Sequence, residues 1–201
     1  RIMALAAPGI KRISLELGGK SPNIVFADSD WRRAAETSPM SVFANTGQDC
    51  CARSRLFVER SILEPFLEAL VAATRKLVVD DPLRPETQIG PLVSAGQRES
   101  VEAYLAEAQA AGRTLAVGGV RPKRKGYFLE PAVLVGVEPG DRCWQEEIFG
   151  PVVCVRPFED EAAMIGEVNA SPYGLSGSVW TDNLSRALRV ARQIESGVLS
   201  I

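Results

Sequence analysis

The chain has 201 residues, of which 46% are hydrophobic, and its mean hydropathy is +0.01. That is room for one sizeable core and excludes a disordered or fibrous chain. Lys and Arg number 23 against 25 acidic residues, a net charge of −2. The charge supplies no broad basic field for nucleic acid or anionic lipid. No apolar run approaches the roughly 18 residues of a bilayer span, so a membrane is not an expected partner. Histidine is absent, which removes imidazole bases and imidazole metal ligands, and with them Ser-His-Asp and Cys-His hydrolases.

The opening Arg1 to Gly9 has the charge and short apolar run of a secretory signal. A start on Arg and the strand-like segment that follows favour instead an interior piece of a longer protein. Lys11 to Leu17 alternates, with Ile13, Leu15 and Leu17 on one face, which predicts a strand ending in the Gly18-Gly19 turn. Its flanking leucines predict a partly buried Glu16 with a raised pKa. Asn23 to Phe26 reads as a second strand. Asp28 and Asp30 cap a helix from Trp31 to about Asn45, in which Pro39 is expected to cause a kink or a division.

Ser54 to Glu59 alternates again as a strand. Ser61-x-x-Glu64 is a capping box before a helix to about Val78, and Ser94-x-x-Gln97 repeats it before a helix stopped near Gly112. Pro82 and Pro85 mark a loop, and Lys123 to Lys125 a solvated loop tip. Further strands are expected at Ala132 to Val137, Val152 to Phe158 and Gly177 to Trp180, and helices at Glu161 to Asn169 and Leu184 to Ser196. Strands alternating with helices predict an α/β domain with a largely parallel sheet.

The four cysteines stand at 50, 51, 143 and 154, in neither a dense disulfide framework nor a C-x-x-C pattern, which fits a reducing, cytoplasmic setting. Cys143 and Cys154 read as structural. For Cys50 the bland reading is a small buried hydrophobe. Adjacent side chains are expected to diverge, leaving Cys51 to packing or to a secondary thiol role. Gly18-Gly19-Lys20-Ser21 hints at a phosphate loop, but Ser14 stands where such a loop needs its first glycine. Lys20 is expected to pair locally or shape the turn.

Two segments carry chemistry. Phe43, Gly47, Gln48, Cys50 and Ala52 match F-x-x-x-G-Q-x-C followed by a small residue, which resembles the cysteine signature of the aldehyde dehydrogenase family. Leu15-Glu-Leu-Gly-Gly-Lys-Ser-Pro22 resembles that family's glutamate signature. Glu16 precedes Cys50 by 34 residues, the separation and order the family shows. The resemblance continues through Glu146-Glu-Ile-Phe-Gly-Pro-Val152, Tyr173-Gly-Leu175 and Gly197-Val198, and so covers the whole chain.

The resemblance implies a three-layer α/β catalytic domain. Residues 1–18 would be the end of a dinucleotide-binding domain, and residues 19–201 the cysteine-bearing domain, truncated at its C-terminus. It implies oxidation of a small aldehyde to a carboxylic acid with NAD or NADP. Cys50 adds to the carbonyl, the tetrahedral thiohemiacetal expels hydride, and Glu16 takes a proton from the water that hydrolyses the thioester. The Cys50 N–H is a candidate oxyanion donor. Glu147, Phe149, Leu17 and Gln97 are the implied cofactor contacts, no metal is implied, and the full-length protein is expected to be a homo-oligomer. With most of the cofactor domain absent, the isolated chain is expected to lack dehydrogenase activity. Two other classes remain open at this stage: a cofactor-independent thiol esterase using Cys50 and Glu16, and a non-catalytic fold relic or interaction module.

Overall fold

A computed structural model describes all 201 residues. The strands are β1 (Pro22–Val25), β2 (Arg55–Glu59), β3 (Thr114–Val117), β4 (Ala132–Val135), β5 (Val152–Phe158), β6 (Ser176–Trp180) and β7 (Val198–Ser200). The helices are α1 (Ile2–Ala6), α2 (Trp31–Phe43), α3 (Leu63–Arg75), α4 (Ala95–Ala110), α5 (Arg142–Gln145), α6 (Glu161–Asn169) and α7 (Leu184–Ala191). The strands form one sheet in the order β3-β4-β5-β2-β1-β6-β7, parallel except for the β3–β4 pair.

The period of two along each central strand sorts side chains between two cores. Ile24, Phe57, Leu134 and Cys154 join one core, with Val101 and Leu105 of α4, Trp144 of α5, Ile165 of α6 and Val190 of α7. Val25, Leu56, Val58, Val133 and Val153 join the other, with Ala34 and Phe43 of α2 and Phe66 and Leu70 of α3. Helices thus cover both faces of the sheet, the three-layer arrangement expected from the alternating elements. Burial on both faces explains the successive apolar residues Ile24-Val25, Leu56-Phe57-Val58 and Val152 to Val155. Phe57 and Trp144 meet edge to face at 4.9 Å. No helix is long and apolar enough to cross a membrane.

The Ser94 cap forms, its hydroxyl accepting from the Gln97 N–H at 3.1 Å, and Gly112 follows that helix with φ +82°. Asp30, Asp160 and Asn183 cap α2, α6 and α7 in the same way. Such a cap contributes about 1 kcal/mol.

Several expectations fail. Lys11 to Leu17 is not a strand, because no strand of the sheet pairs with it, and Ile13, Leu15 and Leu17 stay exposed. Alternation marks a face but does not supply a partner. Pro39 does not divide α2, whose residues on either side of it, Ala35 and Val42, pack into one core. The Ser61 capping box does not form: a 3-10 turn at Arg60–Ile62 intervenes, and the Ser61 hydroxyl donates to Glu59 instead. Helix α3 stops at Arg75 and α7 at Ala191, short of the expected ends, and β4 stops at Val135. Strands β3 and β7 and the short helix α5 have no counterpart in the sequence reading.

Candidate active site

Strands β1, β2 and β5 are parallel neighbours, with Pro22 beside Arg55 and Arg55 beside Cys154. The segments that enter them therefore converge at one edge of the sheet, although they lie far apart in sequence. Residues 16–19 lead into β1, residues 47–50 toward β2, and residues 147–150 into β5. Ligand sites of open α/β sheets commonly lie at the carboxyl ends of the strands; here the chemistry gathers at their amino ends. Glu16, Leu17, Gly18, Gln48, Asp49, Cys50, Glu147 and Phe149 line one cleft of about 420 Å³.

Close backbone approach fixes the geometry of this rim. The Gly19 N–H donates to Glu147 Oε1 at 2.9 Å. A Cβ on Gly18 would lie 2.2 Å from Glu147 Oε2, and one on Gly19 would lie 2.1 Å from the Cys50 carbonyl oxygen. The Gly-Gly pair is therefore the place where the Glu147 carboxylate and the Cys50 backbone meet: a side chain at Gly19 would strike backbone, and one at Gly18 would displace the Glu147 carboxylate. Beneath it Arg55 is buried and donates to the carbonyls of Lys20 and Val168. Burial lowers the Arg55 pKa to about 10, which leaves it charged at neutral pH.

The cysteine loop is held in an uncommon conformation. Asn45, Thr46 and Gly47 have φ of 52°, 61° and 70°. The left-handed region suits glycine and tolerates asparagine, but for threonine it is strained, at a cost on the order of 1–3 kcal/mol. Hydrogen bonds hold the strain: Asn45 donates to the Gln48 carbonyl, Gln48 Nε2 donates to the Asn45 carbonyl, and Thr46 donates to the Gly90 carbonyl. Gln48 Oε1 also accepts from the Val93 N–H at 2.9 Å. Phe149 is strained as well, with φ 54°, and the residue is 39% exposed on the cleft.

Cys50 is half-buried. Burial, the hydrogen bond with Cys51 and the negative charges of Cys51 and Asp49 push its thiol above the ordinary value, and only its own backbone N–H acts the other way. No carbonyl takes that N–H. These surroundings disfavour the thiolate, which a proton acceptor or a positive charge at the cleft would favour.

The structure brings Cys50, Glu16, Leu17, Glu147 and Phe149 into one cleft but leaves Gln97 off its lining. The Gln97 amide instead donates to the carbonyls of Ile148 at 3.1 Å and Phe149 at 2.8 Å, which makes it a clamp on the strained loop. Glu16 is exposed, not partly buried, since the segment that carries it lies against no strand. Cys50 and Cys51 do not diverge: they sit in a turn, where strand alternation does not apply, and their sulfurs are 4.0 Å apart. Lys20 does not pair. It is 2% exposed and its Nζ has no hydrogen-bond partner. Burial drives that amine below its ordinary value, against the opposing pull of the Cys154 and Cys143 sulfurs.

The sequence matches the aldehyde dehydrogenase family over residues 1–201. The chain belongs to the aldehyde dehydrogenase family. Among curated relatives of this family it is 41% identical to aminoaldehyde dehydrogenase 2 of Zea mays, over all of this chain and 40% of that one. It is 43% identical to betaine aldehyde dehydrogenase 1 of Rhizobium meliloti, over all of this chain and 42% of that one. Among solved structures, betaine aldehyde dehydrogenase from Staphylococcus aureus in complex with NAD+ is similar at TM-score 0.94 and 40% identity, covering 100% of this chain and 40% of that one. The NAD+ complex of an aldehyde dehydrogenase from Bacillus cereus is similar at TM-score 0.95 and 40% identity, covering 100% and 41%. The chain thus spans about two-fifths of the length of the relatives it matches.

One residue of the rim, Asp49, was not singled out by the sequence. Asp49 lies inside the cysteine motif, next to Cys50, and the turn places it on the cleft. Cys51 is not among the residues that line the cleft, although its sulfur lies 4.0 Å from that of Cys50.

Proposed function

We propose that this chain supplies the nucleophile, the base and one edge of the cofactor site of an aldehyde oxidation that yields a carboxylic acid. The observation that carries the reading is the convergence of Cys50, Glu16 and Glu147 on one cleft from three separate segments. Cys50 Sγ attacks the carbonyl carbon, its proton leaves to solvent, and the carbonyl oxygen becomes an oxyanion for which the Cys50 N–H is the donor nearest in the chain. Loss of hydride from the former aldehyde carbon leaves a thioester on Cys50. Glu16, exposed on the cleft, takes a proton from the water that attacks this thioester, and Cys50 leaves as thiolate.

NAD or NADP would supply the hydride acceptor. The rim fits such a group. Glu147 Oε1 is fixed by the Gly19 N–H, so Oε2 is left to accept from ribose hydroxyls. The Phe149 ring is held exposed by the Gln97 clamp, and Leu17, 66% exposed, adds an apolar contact. Residues 1–18 we assign to the cofactor-binding side and residues 19–201 to the catalytic domain. Leu5 is 75% exposed and Ile10 92%, an apolar surface suited to cover by such a domain. We assign the whole enzyme to a homo-oligomer in the cytoplasm; the four unpaired thiols fit a reducing compartment.

The names of the relatives and the acidic lining of Glu16, Asp49 and Glu147, with no Lys or Arg among the cleft residues, favour an aldehyde bearing an ammonium group. The test is reduced-nicotinamide formation by the full-length protein with NAD+ or NADP+, comparing betaine aldehyde and aminoaldehydes with uncharged aldehydes of similar size. Turnover that disappears in Cys50→Ala, with higher kcat/KM for the cationic aldehydes, is expected. Turnover that persists in Cys50→Ala removes the thioester mechanism.

A further inference from the structure

Cys51 takes no step in the proposed aldehyde reaction and Asp49 adds only charge to the cleft, yet both crowd Cys50. The sulfurs of Cys50 and Cys51 are 4.0 Å apart, and these two atoms and a carboxylate oxygen of Asp49 all lie within 4.8 Å of one another. Asp49 is already oriented, because its Oδ1 accepts from the Cys51 N–H at 2.9 Å. In a tetrahedral zinc site with Zn–S of about 2.3 Å and Zn–O of about 2.1 Å, the S···S edge is about 3.8 Å and the S···O edge about 3.6 Å. The two sulfurs therefore stand at the bite of such a site before any ion arrives, and the carboxylate has little distance to move.

We propose that Asp49, Cys50 and Cys51 form a three-ligand site for a soft divalent cation, zinc or cadmium, at the mouth of the catalytic cleft. Thiolate donors select this class of ion over magnesium or calcium, which take oxygen ligands. The local charge agrees: three groups that each become anionic are packed together, and no Lys or Arg lines the cleft to compensate them. A dication would relieve that crowding.

Binding forms two sulfur–metal bonds and one oxygen–metal bond. Each thiol gives up its proton to solvent, the carboxylate is already ionised, and nothing is oxidised or reduced. Three protein ligands leave a fourth position to water on the cleft side. The metal then occupies the lone pair with which Cys50 would attack an aldehyde, so metal and substrate compete. The binding site stands on geometry alone. The inhibition rests on the assignment of Cys50 as nucleophile.

The experiment is titration of the full-length, chelator-treated protein with Cd2+, read by ultraviolet cadmium–thiolate charge-transfer absorption, with aldehyde oxidation measured in parallel. One Cd2+ per chain is expected, with loss of activity as the band grows. Removing even an outer partner of a metal ligand costs roughly 10- to 100-fold in affinity, so Cys51→Ser and Asp49→Asn should each bind at least about tenfold more weakly. Cys51→Ser should keep its metal-free turnover and lose its sensitivity to cadmium. An active protein with no band, or a band unchanged in both variants, overturns the site and leaves the aldehyde reaction standing. A band that follows the variants in a protein with no aldehyde turnover supports the site and removes the catalytic assignment instead.

Discussion

The two halves of the catalytic rim are built in opposite ways. The side that carries Cys50 and Glu147 is fixed between three neighbouring parallel strands, with Gly18 and Gly19 in contact with both residues and Gln97 clamping the next loop. The side that carries Glu16 is an extended segment with no strand partner and an exposed apolar surface. In the proposed reaction Cys50 as nucleophile and Glu147 as cofactor carboxylate need a set geometry, because small misplacements are costly in rate. Glu16, proposed as a base that acts through water, tolerates a looser mount.

The comparison breaks most readily at Gly19. Gly19→Ala places a Cβ against the Cys50 carbonyl oxygen, so the cysteine loop must shift; kcat of the full-length enzyme should fall about 100-fold while its circular dichroism stays that of a folded protein. An alanine variant with normal kcat would show that the rim is not rigid there. Gln97→Ala should be milder. It removes two hydrogen bonds worth about 0.5–1.5 kcal/mol each and lets Phe149 leave its left-handed conformation, so KM for the nicotinamide cofactor should rise severalfold with kcat little changed. A fall in kcat at constant KM would contradict a clamping role.

The smallest effect belongs to the other side. Leu17→Ser in the isolated 201-residue chain should alter unfolding stability by no more than about 0.5 kcal/mol, as for other exposed positions. The same change in the full-length protein should cost more and raise KM for the cofactor. Equal, negligible effects in both would show that the segment is never covered.

Much of this was legible in the sequence, and what was missed shares a cause. β1, β2 and β5 were readable as short apolar-rich segments, and α4 because the Ser94 cap and the Gly112 stop are local. The chemistry was readable from Glu16, Cys50 and Glu147, each embedded in a motif. What stayed hidden depends on partners distant in sequence: the alternation of Lys11 to Leu17 says nothing about whether a strand lies beside it, and edge strands β3 and β7 are defined by pairing with Val133 to Val135 and Ser176 to Ser178. The proximity of Cys50 and Cys51 was hidden because a turn, unlike a strand, brings adjacent side chains together.

The central claim, that Cys50 forms a thioester which Glu16 resolves, is tested most directly by rapid-mixing kinetics of Glu16→Gln in the full-length enzyme. The rigid half of the rim is intact in that variant, so acylation should proceed and deacylation should stall. The account predicts a burst of about one equivalent of reduced nicotinamide per site followed by near-complete arrest, and no burst in Cys50→Ala. Steady turnover at the unmodified rate in Glu16→Gln, or a burst of equal size in Cys50→Ala, would contradict it.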